Sequence, residues 1–289
     1  MTPLPTSPPV AMSIAGSDNS AGAGIQADLK TFTAHGIYGL TALTCVVAEV
    51  PGRVSAIQPL KLEMVRAQIE LSWDAYPVAA LKTGLLHSRE VIELVAEIYA
   101  RRTADGICGV AAAGRVRPPL VVDLVMVATS GALLLEPEAV GAYREHLFPQ
   151  AALITPNLDE ARVLLGGGNI ATPAAMRLAG MELCARFGAA FLMKGGHFGG
   201  ATAIDWLCLP GGVTEEFRAP FTRGISTHGT GCTYSAAITA GLANGLALPV
   251  AAGRAKEYVS AAVANFFRWE TAARVTPVDA LNHWAQTPR

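Results

Sequence analysis

The chain is paced by short apolar runs, each followed by a longer amphipathic stretch. VAMSIA (Val10–Ala15), LTALTCVVA (Leu40–Ala48), AALK (Ala79–Lys82), LVVD (Leu120–Asp123), ALIT (Ala152–Thr155) and AFLMK (Ala190–Lys194) have the length of buried strands. Helical periodicity falls between them, over Leu62–Trp73, Ser88–Arg101 and Pro173–Phe187. Strand followed by helix, repeated this often, predicts an α/β fold: a central, mostly parallel sheet with helices on both faces. Right-handed crossovers would then gather the carboxyl ends of the strands, and any ligand, along one edge.

Two segments break the rhythm. Residues 1–10, with four prolines, read as a flexible leader, and residues 103–119, rich in glycine and alanine, read as a loop insertion. Neither marks a domain boundary, so residues 11–289 are expected to form a single domain, with room for a small flap early in the chain. Asp205–Val213 reads as a hairpin, and two helices of small residues, Thr233–Leu246 and Ala251–Arg268, close the chain.

The 289 residues carry a formal net charge of −1, which gives no electrostatic bias toward nucleic acid or a membrane surface. A small-molecule substrate is the expected partner. The start lacks the basic segment and apolar run of a secretory signal, and no stretch stays apolar long enough to span a bilayer, so a cytoplasmic setting is expected. Five cysteines without a CxxC pair suit a reducing compartment and indicate neither a disulfide framework nor a zinc site.

Two glycine-rich turns carry the chemistry. In STHGTGCTY (Ser226–Tyr234), Gly229, Thr230 and Gly231 let successive N–H groups point one way, and the helix that follows adds the positive end of its dipole. That predicts an anion-binding cradle. Cys232 would feel the same field, which favours thiolate and makes it a candidate base or nucleophile; the alternative is a small buried residue in a tight turn. The second turn, AGSDNSAGAGIQADLKT (Ala15–Thr31), lacks the GxGxxG spacing of a dinucleotide site and has Asp28 inside its helix, where it could reach a ligand. His197 and His228 read as structural residues of glycine-rich loops.

Together these stretches resemble the hydroxymethylpyrimidine and phosphomethylpyrimidine kinases of thiamin biosynthesis, within the ribokinase-like superfamily. The motifs run in order from about Met12 to Thr239: AGSD…GAGIQADLKTF, KTGLL (Lys82–Leu86), VDLVM (Val122–Met126), LITPNLDEA (Leu153–Ala161), LMKGGH (Leu192–His197), Asp205–Trp206 and THGTGCT (Thr227–Thr233). The resemblance implies a ribokinase-like fold, a homodimer, and a phosphotransferase that uses ATP and Mg2+. Its acceptor would be the hydroxymethyl group of 4-amino-5-hydroxymethyl-2-methylpyrimidine and then the monophosphate.

The resemblance also implies roles. Cys232 stands where sugar kinases of the superfamily carry an aspartate base, with Gly229, Thr230 and Gly231 around the transferred phosphate. Asn157 and Glu160 match an NxxE pattern assigned to magnesium and its waters, with Asp123 as a further candidate for the cation and Lys194 as a phosphate contact. Gly16, Asp28, Val47 and Glu49 would surround the ring. Many members have glutamine where this chain has Glu49, and lysine where it has Thr129. A carboxylate only accepts unless it is protonated, so the ring could instead be that of pyridoxal or pyridoxine, which also carries a hydroxymethyl group. A sensor that binds the pyrimidine without catalysis would be expected to have lost the cradle or the thiol.

Overall fold

A computed structural model describes residues 7–104, 117–126, 134–136, 139–196, 198, 200–270 and 277–285. Strand β1 (Val10–Ala15) is buried at all six positions, as a central strand covered on both faces must be. It leads through the first glycine-rich turn into α1 (Gly24–Ala34), then to β2 (Tyr38–Leu43), β3 (Cys45–Val50) and β4 (Arg53–Pro59). The chain continues with α2 (Leu62–Ala75), β5 (Val78–Thr83), α3 (Arg89–Ala104), β6 (Leu120–Val122) and α4 (Ala139–Ala142). There follow β7 (Leu153–Ile154), α5 (Leu158–Leu165), α6 (Pro173–Phe187), β8 (Ala190–Lys194) and the hairpin β9 (Thr202–Cys208) and β10 (Thr214–Pro220). Helices α7 (Thr230–Ala243) and α8 (Leu248–Ala264) precede a last ribbon, β11 (Phe267–Trp269) and β12 (Val278–Ala280).

Eight strands form one sheet in the order β10-β9-β8-β7-β6-β5-β1-β2. From β2 to β8 neighbours run parallel, and the hairpin adds two antiparallel strands at one edge. Alternation along each strand feeds two cores. Met12 and Ile14 of β1 face the layer of α2, α3 and α6, while Ala11 faces that of α1, α7 and α8. Small residues let α7 and α8 approach closely: a Cβ on Gly241 would lie 2.9 Å from that of Ala251.

Three expectations are corrected. The run Leu40–Ala48 is two strands, not one. The chain bends at Thr44, whose N–H donates to Ala15 O and whose hydroxyl donates to Leu85 O, and β3 leaves the sheet to pair with β4 as a separate ribbon. The last helix ends at Ala264, not Arg268; Phe267–Trp269 form β11, held by Arg268 to Asp279 of β12. Helix α7 begins at Thr230, one turn earlier than the apolar pattern indicates, because Gly229 adopts φ +81° and caps it. Pro9 O already accepts from Tyr38 N–H, so order starts within the expected leader. Among the described residues, no helix is long and apolar enough to cross a membrane. Thr129, His197 and residues 105–116 of the expected insertion lie outside the described residues.

Candidate active site

The carboxyl ends of β1, β5, β6, β7 and β8 deliver Gly16, Gly84, Asp123, Thr155 and Lys194 to one edge, and α7 points its first turn at it. The cradle is built by glycine for a steric reason. A Cβ at Gly229 would lie 1.7 Å from Gly22 O, and one at Gly231 would lie 3.3 Å from Lys194 Nζ. Thr230 N–H donates to Thr227 O (3.1 Å), so that N–H of the expected cradle is already engaged. The Thr230 hydroxyl oxygen is buried and has no hydrogen-bond partner among the described residues, as suits a group that awaits a ligand oxygen.

Cys232 departs from its expected electrostatics. Burial pushes its thiol up to about 12; Lys82 opposes the rise, while Asp123 and Asp28 add to it. The Gly24 N–H at the start of α1 also favours the thiolate, so the sulfur faces the amino ends of two helices, and enclosure still outweighs them.

On the cation side, Asp123 Oδ1 accepts from Thr155 Oγ1 (2.8 Å) and Lys194 Nζ (3.0 Å), and Oδ2 accepts from Ser235 Oγ (2.9 Å). Burial alone would raise its carboxyl; Lys194 and Lys82 outweigh that and hold it below the usual range. Asn157 and Glu160 form a capping box at the start of α5. Asn157 Oδ1 accepts from Glu160 N–H (2.9 Å), and Asn157 N–H donates to Glu160 Oε2 (2.8 Å). Burial lifts Glu160 to about 7, against the pull of Lys194. Asp123 and Glu160 thus bring two buried carboxyl groups to Lys194, hard oxygen donors of the kind that fits a divalent cation held partly through water.

The ring side is formed by the β1 turn and the β3–β4 ribbon. A Cβ on Gly16 would fall 2.8 Å from Cys45 Sγ, Val47 N–H donates to Ser17 Oγ (3.2 Å), and Glu49 N–H donates to Asn19 Oδ1 (2.7 Å). Burial first, then Asp18, push the Glu49 carboxyl up. Asp28, expected beside the ring, turns inward: Oδ2 accepts from Ser13 Oγ (2.5 Å) and Lys82 Nζ (2.9 Å), and both charged side chains are fully enclosed. Burial opposes the charge on Lys82, but Asp28 keeps it protonated.

Two groups escaped the sequence reading. Lys82 ends an apolar strand as Lys194 does, and that shared placement was the available signal. His228, taken as a structural residue, joins Asp18 across 210 positions of sequence, a contact that no local pattern announces. Asp205, part of a motif without an assigned role, accepts from Gly195 N–H (2.9 Å) and from Lys256 Nζ (2.6 Å), and so fixes the turn after Lys194.

The family model described as phosphomethylpyrimidine kinase matches residues 18–279. The chain belongs to that family. It is 42% identical to the hydroxymethylpyrimidine/phosphomethylpyrimidine kinase of Rhizobium meliloti over 95% of this chain and 98% of that protein. Its fold is similar to Bacillus subtilis pyridoxal kinase in complex with ADP, with a TM-score of 0.82 and 35% identity over 96% of this chain and 98% of that one. Staphylococcus aureus pyridoxal kinase in complex with AMP-PCP and pyridoxal gives 0.81 and 31%, over 97% and 95%. Family membership makes the protein a kinase of the ribokinase-like fold.

Proposed function

We propose that the enzyme transfers the γ-phosphoryl group of ATP to the hydroxymethyl oxygen of 4-amino-5-hydroxymethyl-2-methylpyrimidine, and then phosphorylates the monophosphate. The observation that carries this reading is the convergence of an open helix start, Cys232, Asp123, Glu160 and Lys194 at one sheet edge. Phosphoryl transfer asks mainly for alignment and charge stabilisation, and this edge has groups for both.

In this reading the Gly16, Val47 and Glu49 side of the site orients the ring so that its hydroxymethyl oxygen faces the cradle. The hydroxyl proton passes to Cys232 Sγ as the oxygen forms its bond to phosphorus and the bond to the leaving ADP oxygen breaks; because burial pushes the thiol up, only its minor thiolate form takes that proton. Lys82 and the Gly24 N–H are the groups that favour that thiolate. The Gly231 and Cys232 N–H groups and Lys194 receive the charge on the transferred oxygens. Asp123, Glu160 and Asn157 would hold magnesium, which supplies charge neutralisation at the triphosphate. Asp28 acts at a distance, through Lys82. A homodimer, implied by the resemblance, and a cytoplasmic setting complete the reading.

A second reading, a pyridoxal kinase, is favoured by the likeness to solved pyridoxal kinases. The test measures kcat/KM with ATP on the aminopyrimidine, its monophosphate and pyridoxal, for wild type and Glu49→Gln. A buried acceptor facing no donor costs about 1–3 kcal/mol, so the aminopyrimidine is expected to be preferred by about tenfold or more, with most activity kept in Glu49→Gln. Equal or better wild-type activity on pyridoxal would transfer the assignment to that ring.

A further inference from the structure

The loop that carries the cradle meets the first glycine-rich turn through the side chains of His228 and Asp18. Asp18, buried in the first glycine-rich turn, has both oxygens engaged. Oδ1 accepts from Ser20 N–H (2.7 Å), and Oδ2 accepts from Gly22 N–H (3.1 Å), Ala23 N–H (2.7 Å) and His228 Nε2 (2.8 Å). The carboxylate oxygen accepts, so Nε2 carries the proton. His228 N–H donates in turn to Ser226 Oγ (3.3 Å), which fixes the residue just before Gly229. The two loops meet without room for side chains: a Cβ on Gly22 would lie 2.8 Å from His228 Cδ2, and one on Gly229 would strike Gly22 O.

The ligand atoms of Asp18, Glu49 and His228 lie within 4.8 Å of one another, a grouping that also has the composition of a metal site. Both Asp18 oxygens are already engaged by four donors, so hydrogen bonds, rather than an open coordination sphere, knit this group together. Burial would raise Asp18, but the His228 and Ser20 side chains and the Ala23 N–H hold it at about 2, a carboxylate at any working pH. The other charged neighbour is Lys30, whose ammonium donates to Ala21 O (2.7 Å) on the same turn.

We propose that Asp18 and His228 are positioning residues for phosphoryl transfer, and that their hydrogen bond latches the cradle loop to the ring-side loop and so sets Cys232 and the first turn of α7 against the bound hydroxymethyl group. The inference rests on the kinase reading above. His228 touches no reacting atom; it acts through Gly229 and the helix start. Misplacement of a reacting group by about 1 Å costs on the order of a hundredfold in rate, so a latch of this kind acts on turnover more than on binding.

The test compares His228→Ala, His228→Gln, Asp18→Asn and the double variant Asp18→Asn/His228→Ala. His228→Ala is expected to lower kcat by about ten- to a hundredfold while KM for ATP and the pyrimidine stay within about threefold. His228→Gln, whose amide N–H can still reach Asp18, should fall between it and the wild type. The double variant should be no slower than the slower single variant, as expected for two residues that act as one unit. A second readout needs no substrate. Iodoacetamide labelling of Cys232, located by peptide mass spectrometry, should speed up about tenfold or more in His228→Ala, because the loop that sets the half-buried sulfur at the start of α7 is no longer tied down. Wild-type kcat and labelling rate in His228→Ala, or kcat losses that multiply in the double variant, would overturn the latch. If the wild type phosphorylates none of the compounds offered, the kinase reading fails, and the labelling arm still decides whether the clasp exists. Should His228→Ala fail to fold, His228→Gln and Asp18→Asn carry the same comparison.

Discussion

At the scale of single residues, the site is a set of charges that correct one another. Cys232 has the carboxylates of Asp28 and Asp123 and the ammoniums of Lys82 and Lys194 in reach, and burial pushes its thiol up rather than down. Replacing it by serine is expected to lower kcat by about two to four orders of magnitude while ATP and pyrimidine affinities stay within a few-fold, as measured by steady-state kinetics and calorimetry. Turnover within a few-fold of wild type would assign proton transfer to another group. The residue types at this site were legible in the sequence because GTGC, NxxE and a strand-end lysine each have a local physical reason. The thiol's electrostatics were not legible, because they depend on Asp28 and Asp123, which arrive from distant strands. Asp28 shows the same limit: a helix acid four residues past the start of α1 looks available, and only packing against Lys82 and Ser13 reveals that it is sealed.

At the scale of elements, α5 does two jobs at its amino end. The Asn157 and Glu160 capping box closes the helix start, and the same carboxylate faces Lys194 and the cation pocket. Asn157→Ala is therefore expected to remove about 1 kcal/mol of stability, seen as a fall of a few degrees in Tm, and also to raise the KM for Mg-ATP. A variant that loses stability with an unchanged KM would make Asn157 a cap alone. The parallel strands were readable from their apolar runs, since a strand buried on both faces has little choice of composition. Strands β4, β11 and β12 were not, since they lie in two-stranded ribbons outside the main sheet, where Arg53–Pro59 alternates weakly and stays largely exposed. The break at Thr44 was hidden for a related reason: both halves of Leu40–Ala48 are apolar, and the turn is made by hydrogen bonds rather than by glycine or proline.

At the scale of the whole molecule, the C-terminal segment ties the sheet layers to the site. His283 is buried against α7, with Nε2 3.1 Å from Thr233 Oγ1, and its backbone oxygen accepts from Tyr258 of α8. Burial, with Lys30 nearby, lowers its pKa from 6.5 to about 4. The unfolded chain binds this proton more readily than the folded one, so His283 favours folding fully above pH 6.5 and loses that contribution as pH falls toward 4. The loss amounts to about 3 kcal/mol for a shift of this size. Urea unfolding followed from pH 7 to pH 4 should show that slope, and His283→Gln should flatten it. An equal slope in both proteins would place the acid sensitivity elsewhere.

The contact between Asp18 and His228 also sets a timetable for synthesis. The first glycine-rich turn leaves the ribosome early, and its partner is more than two hundred residues behind it. Until α7 and α8 emerge, the sheet face carrying Ala11, Ala80, Val121 and Leu153 has only α1 to cover it, and these residues are fully buried in the finished protein. The nascent chain thus passes through most of its length with a partly bare apolar sheet, the condition under which growing chains aggregate or recruit chaperones. Ligand binding cannot rescue it at that stage, because the cradle that would receive a phosphate is itself the start of the missing helix.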